Sequence, residues 1–266
     1  MDLSPSQTLS NILDALTSPA HNWHINDFYN HERRYQADLH LLATLAPLGP
    51  VLEIGSAPCH MTALLKLSGI TAVGVDVEPG RVADLIRHLD LDVRRCDIER
   101  SALPFSNDQF TCALLCETFE HLRIDPAFVL SEINRVLAPG ARLILTTPNV
   151  YSLPSLGRFL LGKSVADPLT EFGKLRTLGH MGHVREYSAR EVERFLASAG
   201  FTVQSTDYRY HANGQGGKRK LLLMAYRLMP RHFRREIVIV ARKTAASPHL
   251  EALLPLKETT ASTLAQ

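Results

Sequence analysis

A chain of 266 residues is long enough for one sizeable α/β domain with appendages. A hydrophobic fraction of 45% and a charged fraction of 21% argue against wholesale disorder, and a net charge of +2 argues against a dedicated nucleic-acid binder, so no stable nucleic-acid partner is expected. No apolar run approaches the roughly 20 residues that span a bilayer, and the opening MDLSPSQTLSNILDAL lacks the basic and apolar character of a secretory signal, so a cytoplasmic protein is expected.

Residues 1–48 read as a helical N-terminal cap, with Tyr35, Leu39, Leu42 and Leu45 at helical spacing and Pro47 and Gly49 ending it. Residues 49–243 read as the main domain. Strands are expected at Val51–Ile54, Thr71–Val75, Asp92–Cys96, Phe110–Cys116 and Arg142–Thr147, with helices at Met61–Leu67, Arg81–Leu89 and from Asp125-Pro126 to Leu137. Pro139-Gly140 reads as the stop of that last helix. After Pro148 the rhythm breaks, and 149–186, with scattered Gly, Pro and basic residues, reads as an insertion covering a site. Ser188-Ala189-Arg190-Glu191 fits a capping box, and Phe201–Thr206 and Glu236–Ala241 complete seven strands. The pattern predicts a Rossmann-like α/β fold: a seven-stranded, mostly parallel sheet with helices on both faces. The tail 244–266 is expected to be disordered. Cys59, Cys96, Cys112 and Cys116 form no CxxC pair and read as reduced, mostly buried thiols.

Val51-Leu52-Glu53-Ile54-Gly55 runs from a strand through a glycine turn into a helix, which is how a chain presents backbone N–H groups to a nucleotide-like ligand. Asp76 closes the next strand about 20 residues later, where a carboxylate meets ribose hydroxyls. The stretch Gly55-Ser56-Ala57-Pro58-Cys59-His60 fails G-x-G-x-x-G after its first glycine, which disfavours a dinucleotide and a nicotinamide-dependent oxidoreductase.

These residues, with Val73-Gly74-Val75-Asp76, Cys96-Asp97-Ile98-Glu99, Leu103-Pro104-Phe105 and Glu132–Gly140, make residues 51–206 resemble the class I S-adenosylmethionine-dependent methyltransferases. The resemblance implies S-adenosylmethionine as cofactor, with Asp97 receiving the adenine amino group and the Ile98 backbone meeting the ring. The implied cofactor set is Glu53, Gly55, Ser56, Ala57, Asp76, Val77, Asp97, Ile98 and Cys116. Ala57 and Cys59 stand where relatives carry glycine, so Pro58 and Cys59 are expected to narrow the loop. A binding module that kept the fold and lost turnover is the corresponding alternative.

Cys116-Glu117-Thr118-Phe119-Glu120-His121-Leu122 follows the fourth strand. Begun as a helical turn, it places Glu117, Glu120 and His121 on one face, a donor set suited to Mg²⁺ or Mn²⁺. The segment resembles the Glu-x-x-Glu-His subgroup of the same family, among them small-RNA ribose and ubiquinone-pathway O-methyltransferases. That likeness implies a later His as fourth ligand, His183, with His180 as the alternative. Without an ion, His121 or His183 is the expected base. Lys218–Met229 reads as a basic amphipathic helix, and 218–235 as a candidate contact for a membrane or a lipid-linked substrate. The expected activity is O-methyl transfer to a hydroxyl of a glycan or small polar metabolite, the glycan from resemblance to polysaccharide-modifying methyltransferases at Gly55–Thr62, Asp97–Glu99 and Gly182–Tyr187. The alternative acceptor is a phenol or catechol ring of quinone or secondary metabolism.

Overall fold

The computed structural model describes residues 4–16, 21–178, 182–210, 226 and 228–248, without the side chains of 21–24 and 178. The chain opens with α1 (Pro5–Ala15), whose Ser4 cap and Gln7 form a reciprocal capping box, and the long α2 (His21–Leu45). Then come β1 (Val51–Ile54), α3 (His60–Leu67), β2 (Ala72–Asp76), α4 (Ala83–Leu89), β3 (Val93–Arg95) and β4 (Phe110–Cys116). The second half holds α5 (Pro126–Val136), β5 (Leu137–Pro148), α6 (Leu153–Leu160), α7 (Pro168–Leu178), α8 (Ala189–Ser198), β6 (Phe201–Arg209) and β7 (Glu236–Lys243). Asp125 caps α5 by accepting from the Ala127 and Phe128 N–H groups, and Ser188 with Glu191 forms the capping box of α8.

Among the described residues, seven strands form one sheet in the order β3-β2-β1-β4-β5-β7-β6. The first five pair in parallel, and β7 lies antiparallel between β5 and β6. Alternation along each strand divides the core into two layers. Leu52, Ile54, Ala113, Leu115, Leu143 and Leu145 face α5 and α8, while Val51, Cys112, Leu114 and Ile144 face the layer containing α1, α2, α3 and α4. Each fully buried Val, Leu, Ile or Phe in these layers contributes about 1.5–3 kcal/mol.

One expectation changes. Pro139-Gly140 does not stop a helix: α5 ends at Val136, and Pro139 and Gly140 lie within β5, where the register against β4 shifts between Phe110↔Leu137 and Cys112↔Arg142. Gly140, at φ 76°, supplies the left-handed residue of that irregularity. The insertion 149–186 builds α6 and α7. Thr244 and Ala245, at the start of the expected tail, donate to the Gly200 carbonyl; residues 249–266 and most of the Lys218–Met229 segment lie outside the described residues.

Candidate functional site

From β1 the chain continues to β2 on one side of the sheet, while β4 pairs on the other, so a crevice opens beyond the carboxyl ends of β1 and β4. A cavity of about 550 Å³ lies there, within the range of small-molecule sites. Glu53, Gly55, Ser56, Ala57, Asp76, Val77, Asp97, Ile98 and Cys116 all line it, together with Glu117, Glu120, His121 and His183.

The wall formed by β1, β2 and β3 is built largely on backbone. Gly55 has φ 71°, and a Cβ there would lie 2.3 Å from Thr118 Oγ1, so both conformation and space require glycine. Asp76 accepts from the Ala57 N–H (3.1 Å) and the Glu78 N–H (2.8 Å), which fixes its carboxylate at the cavity edge. Asp97 accepts from the Glu99 N–H at 3.1 Å. Glu53 is buried beside the Thr62 hydroxyl, and burial pushes its carboxyl up to about 8. Pro58 lines the cavity without filling it. Cys59 turns into the core at φ 65°, a left-handed conformation that glycine adopts without cost.

Helix α2 supplies a second wall that the sequence reading did not assign. Asp27, His31, Arg34, Tyr35 and Asp38 all line the cavity, joined by His60 at the start of α3. Their positions trace one helical face, the one that continues through Leu42 and Leu45, so a buried face that turns polar over residues 27–38 was the legible signal. Asp27 lies 3.2 Å from His31 and 3.3 Å from His60, and it accepts the Tyr35 hydroxyl at 2.9 Å. Burial opposes the Asp27 charge, but the bonds from His31 and His60 outweigh it and hold the carboxyl well below its usual range. Burial also pushes His60 down, toward the neutral form.

The third wall follows β4. Glu117 takes φ 50°, and the helical turn starts only at Phe119, as a short 3-10 turn over Phe119–His121. Glu117 and Glu120 therefore diverge. Glu117 faces Arg34 at 3.6 Å and accepts from Thr146, whereas Glu120 accepts from Thr147 at 3.0 Å. Burial raises both carboxyls, and their proximity raises Glu120 further. The Glu120 carbonyl accepts from the Val184 N–H at 2.9 Å, and this tie carries the 182–185 segment over the turn. The His121 and His183 rings meet edge to face, their centroids 4.8 Å apart. Donor atoms of Glu120, His121 and His183 all lie within 4.8 Å of one another, and Glu117 is not in that group. His180 lies outside the described residues.

A model of the methyltransferase-domain family matches residues 28–206, from α2 into β6. The chain belongs to the class I S-adenosylmethionine-dependent methyltransferases. This methyltransferase is 28% identical over 188 residues, 70% of its length, to a "probable S-adenosylmethionine-dependent methyltransferase" of Mycolicibacterium smegmatis; the match spans 63%, under two thirds, of that relative. It is 28% identical over 169 residues to a demethylmenaquinone methyltransferase of Thermus thermophilus, covering 58% of this chain and 74% of the relative. A solved SAM-dependent methyltransferase of Thermotoga maritima superposes with a TM-score of 0.56 at 20% identity, over 84% of this chain and 96% of that one, a likeness of fold.

The residues present fit the family's cofactor. Gly55 turns bare backbone along the cavity at a positive φ, and Asp76 presents an oriented carboxylate. Arg34 Nε is buried at the cavity without a hydrogen-bond partner, a counterpart for a carboxylate. No helix among the described residues is long and apolar enough to cross a membrane.

Proposed function

We propose that the methyltransferase is an O-methyltransferase whose acceptor hydroxyl is handled at Glu120, His121 and His183. The observation that carries this reading is the convergence of their donor atoms, joined by the orphaned Glu120 Oε1, which is buried without a hydrogen-bond partner. Glu53, Gly55, Ser56, Ala57, Asp76, Val77, Asp97, Ile98 and Cys116 would hold S-adenosylmethionine, with Arg34 beside its amino-acid end. That cofactor supplies an electrophilic methyl carbon for in-line displacement.

The protein's own contribution is positioning and proton handling. His121 Nδ1 lies 3.0 Å from the Gly182 carbonyl, which can only accept, so the ring proton sits on Nδ1 and Nε2 keeps its lone pair. Burial lowers His183, which favours its neutral form. One carboxylate and two neutral imidazoles are a donor set for Mn²⁺ or Mg²⁺, which would orient an aliphatic hydroxyl and favour its ionisation. Without an ion, His121 Nε2 is the base that takes the hydroxyl proton.

A glycan or small polar metabolite suits the polar walls around Lys174, Arg123 and the two histidines. A ring hydroxyl of quinone metabolism is the second reading. It is favoured by the apolar cleft beyond His183, and the name of the Thermus relative supports the quinone ring though not the hydroxyl.

Calorimetry and Mn²⁺ electron paramagnetic resonance on chelator-treated protein test the ion. One site of micromolar affinity that disappears in His183→Ala supports it. Full turnover in chelator would remove the ion and leave His121 as the base.

A further inference from the structure

Beside His183 lies a second cleft, of about 310 Å³, which the cofactor and the acceptor hydroxyl do not use. Its walls are Val165, Ala166, Pro168, Phe172 and Leu175 from α7 and the turn before it, closed on the far side by Val184. His183 lines both this cleft and the main cavity, so the cleft begins where the acceptor site ends. Glu171, Arg185 and Glu186 line it as well: Glu171 is engaged by Lys174 at 2.8 Å and by the His183 N–H at 2.9 Å, and burial raises the Glu186 carboxyl toward its neutral form, so the rest of the lining is apolar.

The apolar surface continues outward. Leu169 and Phe172, one turn apart on α7, are 84% and 70% exposed, and Phe159, Leu160 and Leu161 at the end of α6 are 72–77% exposed. Exposed Arg158, Lys163 and Arg176 stand among them. An exposed apolar stretch interleaved with cations suits an amphiphile carried on an anionic surface.

We infer that this cleft binds the hydrocarbon portion of an amphiphilic acceptor whose hydroxyl reaches Glu120, His121 and His183. The inference rests on the O-methyl reading and specifies its substrate class: a hydroxylated molecule with an alkyl or prenyl tail. The tail passes His183 and lies against Phe172 and Leu175, and α7 forms its outer wall.

The test titrates n-alkan-1-ols of six, eight and ten carbons into protein saturated with S-adenosylhomocysteine, in chelator, by calorimetry. Saturable binding is expected, tightening about three- to fourfold per added methylene as each is removed from water. Ala166→Trp, which fills the cleft, should abolish the chain-length dependence. Val184→Glu, at a position 46% exposed and so tolerant of charge, should weaken decanol at least tenfold. Both variants should bind S-adenosylhomocysteine within twofold of wild type, which confirms their fold. Absence of alkanol binding, or a chain-length series unchanged in both variants, would overturn the inference. Because alkanols are measured in chelator and Mn²⁺ by its resonance signal, loss of either property leaves the other readable.

Discussion

The two rims of the cavity are made differently. Along the ends of β1, β2 and β3, the ligand-facing groups are a glycine, backbone-tethered carboxylates and short loops held by the sheet itself. Across the cavity, Glu117, Glu120, His121, Lys174 and His183 come from separate segments, brought together by Arg34, Thr146, Thr147 and the Val184 N–H. On the proposed reading the first rim would hold the cofactor, for which strand ends suffice, and the second the acceptor, where side chains on an insertion can change without disturbing the sheet.

This contrast predicts separable losses. The largest should come from His121→Ala, with turnover falling roughly 100- to 10,000-fold while S-adenosylhomocysteine affinity stays within about threefold. Equal loss of both would show that the rims are not independent. Next is Arg34→Met, which leaves the half-buried Glu117 without its guanidinium partner, 3.6 Å away. Urea unfolding should register a loss of about 1–2 kcal/mol, and both rims should suffer because Arg34 stands between them. Asp76→Ala should weaken S-adenosylhomocysteine roughly 10- to 100-fold by calorimetry while leaving Mn²⁺ binding intact.

A separate effect is a pH dependence confined to the first rim. Folded Glu53 keeps its proton up to about 8, whereas in the unfolded chain it ionises near its ordinary 4.5. The folded state binds the extra proton between those values, so this contribution is full below about 4.5 and is lost as pH rises toward 8. Glu53→Gln should reduce the fall in unfolding free energy across that window, by at most about 1.4 kcal/mol per pH unit. An unchanged slope in the variant would show that Glu53 does not carry it.

The same contrast explains what the sequence could reveal. Val51–Ile54 and Phe110–Cys116 were readable to the residue because an apolar run between turn signals has few alternatives in an alternating α/β pattern. Pro139-Gly140 misled because a helix stop and an irregularity within a strand use the same local chemistry; only pairing with β4 distinguishes them. The positive φ of Glu117 was equally hidden. It accompanies the Glu117 N–H donating to the Thr146 carbonyl, 29 residues away, and it turns the first carboxylate from the second. The α2 stripe was visible as spacing but had no addressee until α2 lay over the cavity.

Asp38 on α2 is 1% exposed and meets Arg209 of β6 at 2.5 Å, and Arg209 also faces Glu236 of β7 at 3.8 Å. The family match stops at residue 206, short of both partners. The helix lining the cavity is thus moored to the last two strands of the sheet. A ribosome finishing β5 has made nearly every residue that lines the cavity, and α2 can already pack on α1 and α3, yet the Asp38 tie forms only after β6 and β7 emerge. A fragment cut at residue 206 would carry the recognisable motifs but leave Asp38 buried without Arg209, which ties the seating of α2 over the cavity to the last two strands of the sheet.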